Sequence, residues 1–202
     1  MTAITYEYAG ALYVNMTNAC SNRCEFCLRD NSSGSLYASD LWYHGKEPAK
    51  EEMLENILGR ELSIYREIVF CGYGEPACRF DDMMWLCDEI KKRGDFSIRV
   101  NTNGQSDLIT GKKTAPFLKG RVDCVSVSLN ASTPEKYDEI CHSVYGLQAL
   151  PAILQFASEA AQYVPRVVMT VVSTMGEDEI ERCRVLCEKT GALFKIREYI
   201  SA

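Results

Sequence analysis

The sequence predicts an α/β fold, an incomplete (β/α)6 barrel of TIM type, in a single domain over residues 1–202. Three observations lead there. Short runs rich in Val, Ile, Phe and Tyr alternate with amphipathic runs along the whole chain, and such alternation builds a parallel sheet with right-handed crossovers. Six strand-like runs are too few for a complete eight-fold barrel. A chain of 202 residues with 47% hydrophobic content is enough for one core.

The strand-like runs lie at 11–17, 67–71, 96–101, 122–130, 166–173 and 193–200, with the β-branched and aromatic content of buried strands. Amphipathic runs fill 51–65, 81–93, a weaker stretch at 105–119, 132–141 with 147–163, and 177–190. Pro134 sits near a helix start, with Ser132 as the expected N-cap. Gly94 and Gly191 follow basic helix ends, where C-terminal caps fall. The one long connection, residues 20–50 with Asn31-Ser32-Ser33-Gly34 inside it, has the length of a functional loop. No repeats or low-complexity tracts interrupt the pattern. In folds of this type ligands sit at the carboxyl ends of the strands.

The charge balance, 28 acidic against 22 basic residues and a net −6, speaks against general nucleic-acid binding, which favours a basic surface. No stretch approaches the roughly 20 apolar residues of a membrane helix. The first residues lack a basic-then-apolar export pattern, so a cytoplasmic protein with no membrane partner is expected. Ten cysteines scattered through apolar segments read as reduced thiols, mostly buried as small hydrophobes.

Three cysteines break that pattern. Cys20, Cys24 and Cys27 open the long loop with a C-x3-C-x2-C spacing directly after the first strand. Thiolates this close hold an iron–sulfur cluster or a soft metal. On a cube of four irons, three cysteines leave one iron open, as catalytic metal sites require; a zinc site would need a fourth ligand, with His44 and Cys78 as candidates. At the end of the second strand, Gly72-Tyr73-Gly74-Glu75-Pro76 offers close backbone approach and a carboxylate able to accept from an ammonium group. Ser126, Ser128 and Asn130 share one face at period two, either as a ligand-facing row or as caps of the next helix.

The cysteine spacing, with Phe26 just before the last cysteine, resembles the signature of the radical S-adenosylmethionine (SAM) superfamily. Gly72–Glu75 is similar to its GGE motif with Tyr73 in place of the middle glycine, and Asn101-Thr102-Asn103-Gly104 to its TNG turn. The resemblance implies a radical SAM core holding a [4Fe–4S] cluster on Cys20, Cys24 and Cys27. It implies S-adenosylmethionine on the open iron, with Phe26, Gly72, Gly74, Glu75, Asn103, Ser128, Asn130 and Ser173 as binding residues. It further implies reductive cleavage of SAM to a 5′-deoxyadenosyl radical that abstracts hydrogen from a substrate, with an electron donor such as flavodoxin or ferredoxin. More narrowly, Leu12–Cys20, Ile68–Pro76, Ser126–Ala131, Cys141-His142 with Tyr145-Gly146, and Arg197–Ile200 resemble the TatD family-associated radical SAM proteins. That name implies a genomic or functional link to a TatD-type hydrolase and no defined reaction.

Substrate-side candidates come from pocket logic. Arg197 alternates with Glu198 on the last strand and suits an anionic group. His142 is a possible proton donor and Cys71 a possible hydrogen-atom donor. Cys183 and Cys187 share a helix face, but no cysteine-rich segment follows them for a second cluster. The expected reaction acts on a small molecule or nucleotide. The alternatives are an activase that installs a radical on a partner protein and a zinc-bound module without chemistry.

Overall fold

The computed structural model describes residues 2–31, 35–36 and 39–198. Residues 32–34 of the long connection and 199–202, with the end of the last expected strand, lie outside the described residues. In chain order the elements are β1 (Thr5–Tyr8), β2 (Ala11–Asn15), α1 (Leu28–Asn31), the short ribbon strands β3 (Ser35–Leu36) and β4 (Ser39–Asp40), α2 (Lys50–Leu58), β5 (Ile68–Cys71) and α3 (Phe80–Lys91). There follow β6 (Ile98–Thr102), α4 (Ser106–Thr110), β7 (Cys124–Ser128), α5 (Pro134–Cys141), α6 (Ala149–Ala160), β8 (Arg166–Val172), α7 (Glu177–Glu188) and β9 (Leu193–Arg197).

The main sheet has seven strands in the order β1-β2-β5-β6-β7-β8-β9. From β2 to β9 every pairing is parallel. β1 and β9 are its two edges, so the sheet is open and the barrel incomplete, as expected. All six expected strands are present. β1 was not foreseen: it pairs antiparallel with β2 through a two-residue turn, Ala9 at φ 48 and Gly10 at φ 75. Such hairpin turns need two left-handed residues, and alanine hides the first.

Helix ends differ in detail. Thr133, not Ser132, caps α5, its hydroxyl accepting from the Lys136 N–H at 3.2 Å. Ser132 instead donates its N–H to Glu179. Gly191 adopts φ 76 after α7 as expected, whereas Gly94 is not left-handed. The 105–119 run splits at left-handed Gly111 into α4 and a 3-10 turn, Ala115–Leu118.

Strand alternation places the core. Leu12, Val14, Ile68, Phe70, Ile98, Val100, Val125 and Val127 face the helices and join the large core. The opposite face lines the barrel lumen, where Tyr6, Ala11, Val69, Cys71 and Tyr73 form a smaller cluster with Leu41. β5, at the sheet centre, is buried at all four positions, as a strand covered on both faces should be. β6 and β7 alternate buried with half-buried residues, which leaves Asn101, Ser126 and Ser128 on the inner side. Val172 pairs with Arg197 across β8 and β9, and Arg197 comes to line the same space.

Candidate functional site

The loop after β2 is held in shape before its first cysteine. The Glu47 carboxylate accepts from the Thr17 hydroxyl and the Asn18 N–H, each at 2.7 Å. Past Cys20 the loop rests on the end of α5: Arg23 and Glu25 donate their N–H groups to the carbonyls of Cys141 and Ile140. These carbonyls are left over at a helix C-terminus and need donors.

The turn after β5 is bonded to this loop main chain to main chain. Gly74 N donates to Thr17 O at 2.9 Å, and Glu75 N to Ala19 O at 2.7 Å. A Cβ on Gly74 would run into those same carbonyls, and one on Gly72 into the Asn15 side chain. Gly72 also adopts φ 138, a conformation open to glycine alone.

Glu75 is 3% exposed. Its carboxylate accepts from Thr102 Oγ1 at 2.7 Å, Asn103 N at 2.6 Å and Ala77 N at 3.0 Å. Burial pushes its carboxyl up against the three donors that favour the charged form. The side chain that the sequence offers to an ammonium group thus joins the turns after β5 and β6, and it also lines the cleft at the carboxyl ends of the strands, with acceptor capacity left on its second oxygen.

A cleft of about 350 Å³ opens at the carboxyl ends of the strands. Cys20, Cys24, Phe26 and Cys27 line it from one side, and Cys71, Gly72, Gly74 and Glu75 from the next. Asn103, Ser128, Asn130 and Arg197 complete it. Of the expected site residues Ser126, Ser173 and His142 are not part of its lining. Ser173 donates its N–H to Arg197 O, and its hydroxyl lies 3.1 Å from the Glu198 carboxylate. His142 ends α5 at φ 45, with Nε2 3.6 Å from the Glu25 carboxylate. A second hollow, about 450 Å³, shares Phe26 and Asn130 with the first and adds Ile140, Val172 and Met175.

The thiols differ in environment. Burial pushes Cys20 up to about 12. Cys24 is held below the usual thiol range, chiefly by a hydrogen bond from Cys141, whose own thiol is raised by the same contact. Cys71 is pushed up to about 11 by burial, with its sulfur 3.4 Å from the Tyr6 hydroxyl. Cys183 and Cys187 are fully buried in the large core.

Among the described residues no three His, Cys, Asp or Glu side chains converge on a single-ion site. A cubane asks for no such convergence, because each cysteine binds a different iron. His44 pairs with Asp40 and Cys78 lines a separate surface hollow, so neither expected zinc partner reaches the cysteines.

The family model for the radical SAM superfamily matches residues 14–186. The chain belongs to the radical SAM superfamily. It is 30% identical over 190 residues to a Thermococcus kodakarensis protein named a probable GTP 3′,8-cyclase, covering 93% of this chain and 56% of the relative. A Pyrococcus furiosus relative, named a tungsten-containing aldehyde ferredoxin oxidoreductase cofactor-modifying protein, is 26% identical over 170 residues, 81% of this chain and 43% of the relative. The chain therefore spans about half the length of these curated relatives. In fold it resembles native anSMEcpe with bound AdoMet, at TM-score 0.63 and 17% identity, covering 94% of this chain and 51% of that one.

The radical SAM family uses a [4Fe–4S] cluster and SAM, and the residues here fit both. Three thiols line one cleft with the small-residue turn. In that cleft Asn130 is 3% exposed with its Oδ1 unpartnered, and the buried Oδ1 of Asn101 also has no partner. Buried polar atoms of this kind need a partner, which a polar ligand provides. Several members of the site carry no motif. Asn22, Gln105 and Tyr137 were missed; Gln105 directly follows the Asn101–Gly104 turn, the one signal that pointed toward it.

Proposed function

We propose that this chain carries the radical SAM reaction on a small molecule or nucleotide. Cys20, Cys24 and Cys27 would hold the cluster, and Gly72, Gly74, Asn103, Ser128 and Asn130 would surround SAM. When bound, the cluster and SAM supply an electron and a 5′-deoxyadenosyl radical able to take a hydrogen atom. The observation that carries this reading is one cleft lined by the three cysteines, the Gly72–Gly74 turn and the unpartnered oxygen of Asn130.

The chain's own residues then do defined work. Glu75 fixes the two turns against each other and leaves their backbone to meet the ligand. Phe26 stands between the two hollows with Ile140, Val172 and Met175 nearby, an apolar bed suited to a flat base. Tyr6, Tyr13 and Tyr73 add an aromatic wall to the cleft. Cys71 is placed in that wall as a candidate hydrogen-atom donor. Arg197, reaching the cleft from β9, suits an anionic substrate group. A nucleotide is favoured by the relative named for GTP.

Ser173 and His142 fit this reading only as supports at the rim. A reduced flavodoxin or ferredoxin would deliver the electron. A link to a TatD-type hydrolase rests on the sequence resemblance alone.

The test is anaerobic reconstitution with iron and sulfide, reduction with dithionite, addition of SAM, and assay of 5′-deoxyadenosine. Release that disappears in Cys24→Ala supports the reading. Uptake of zinc with no cluster overturns it.

A further inference from the structure

Between Cys20 and Cys24 lies Asn22, and it touches both sulfurs. Its backbone N–H points at Cys20 Sγ at 3.4 Å, and its side-chain NH₂ at Cys24 Sγ at 3.8 Å. An amide has two ends, so the second contact depends on which end faces the cysteine. The surrounding hydrogen bonds decide it.

The network begins at a group that can only donate. The backbone N–H of Gln105 donates to Asn103 Oδ1 at 3.0 Å. Asn103 must therefore turn its Nδ2 to Ser21 Oγ, at 2.8 Å. The Ser21 hydroxyl still has its one proton to place, and the acceptor within reach is Gln105 Oε1 at 3.0 Å. Ser143 repeats the logic: its oxygen accepts from the Tyr145 N–H at 3.2 Å, and its proton also goes to Gln105 Oε1, at 2.9 Å. Two donors thus hold the oxygen end of Gln105.

Its nitrogen end is then fixed toward Asn22 Oδ1 at 2.8 Å, and also meets the Tyr137 hydroxyl at 3.1 Å. Asn22 is left with its NH₂ toward Cys24 and Tyr137. Gln105 and Tyr137 are fully buried, and Asn22 and Ser21 are 6% exposed. Water does not compete for these bonds, and each amide orientation follows from its neighbour's.

We propose that Gln105 is a positioning residue that holds the Asn22 amide with its N–H toward the Cys24 sulfur, and that this donor raises the reduction potential of the cluster. The inference rests on Cys20, Cys24 and Cys27 being the ligands. Hydrogen bonds to cluster sulfurs stabilise the more negative, reduced state and are among the factors that set such potentials. The network also ties the cluster loop to Asn103, which lines the same cleft.

The experiment is an EPR-monitored reductive titration of the anaerobically reconstituted protein and three variants: Asn22→Ala, Gln105→Met and the double substitution. Each single change is expected to lower the reduced-to-oxidised ratio at a fixed potential about tenfold, equal to ~59 mV for one electron. The double variant should fall no further than Asn22→Ala, because Gln105 acts through Asn22. A Gln105→Met protein with four irons per chain and the wild-type potential overturns the proposal. So does a Gln105→Met shift that adds in full to that of Asn22→Ala.

If Gln105→Met takes up less iron, Gln105→Glu decides. It keeps the size and both serine donors but has no proton to give, so the Asn22 amide must turn its NH₂ away from Cys24. Pulsed EPR in H₂O against D₂O should then keep the exchangeable proton of the Asn22 backbone N–H at Cys20 and lose the one that Asn22→Ala also removes; persistence of that second proton overturns the proposal. A wild-type protein that forms no cluster refutes the ligand assignment itself, an outcome separate from all of these.

Discussion

The Glu75 carboxylate lies 2.6 Å from the backbone nitrogen of Asn103, across the boundary between β5 and β6. Two turns that are 28 residues apart in sequence are thereby one rigid rim of the cleft.

Glu75→Gln should loosen that rim. An amide has one acceptor end, so its NH₂ would face either the Asn103 N–H or the donors from Thr102 and Ala77. A buried donor left against a donor costs about 1–3 kcal/mol. Urea unfolding should report that loss, with weaker SAM binding by calorimetry. Unchanged stability and affinity would refute the rim's role.

Gly74→Ala should be worse. The added methyl meets backbone carbonyls of Thr17 and Ala19, which belong to the cysteine loop and have little room to retreat. Iron uptake per chain should drop sharply. Gly45→Ala is the control: nothing lies within 4 Å of its Cβ, and it should load like wild type.

Glu179 makes acid stability predictable. Burial pushes its carboxyl up, but the Arg182 guanidinium, the Ser132 N–H and Lys136 outweigh that and hold it at about 2. A folded value below the unfolded one adds stability above the unfolded value, and that stability is lost as pH falls toward about 2. Glu179→Gln should lower stability at neutral pH and flatten its decline between about 4.3 and 2. Denaturant midpoints across that range would show it; parallel curves for the two proteins would contradict it.

Phe70→Ala tests the core under the site. Phe70 is fully buried on the helix side of β5, and a cavity there should cost about 3–5 kcal/mol. Thermal or urea unfolding of the variant measures it directly. A loss below about 1 kcal/mol would mean that the core collapses into the gap.

Much of this was legible along the chain. Six strands, the crossover helices and the cysteine loop followed from periodicity and spacing, because those signals are local: a strand alternates within itself, and C-x3-C-x2-C lies within one loop. β1 escaped because Ala9 occupies a left-handed position that no residue type announces. Ser173 and His142 stand near strand and helix ends in the sequence, and neither side chain lines the cleft.

The sequence by itself determined the open α/β sheet, the family and the cysteines that carry its signature, since each depends on residue type at short spacing. Only the tertiary structure decided that Glu75 is engaged by Thr102 and Asn103, and that Arg197 reaches the same cleft as Cys20. It alone brought Gln105 to Asn22 from 83 residues away. Hydrogen-bond direction depends on which donor meets which acceptor after the strands have paired, and no spacing rule along the chain encodes that meeting.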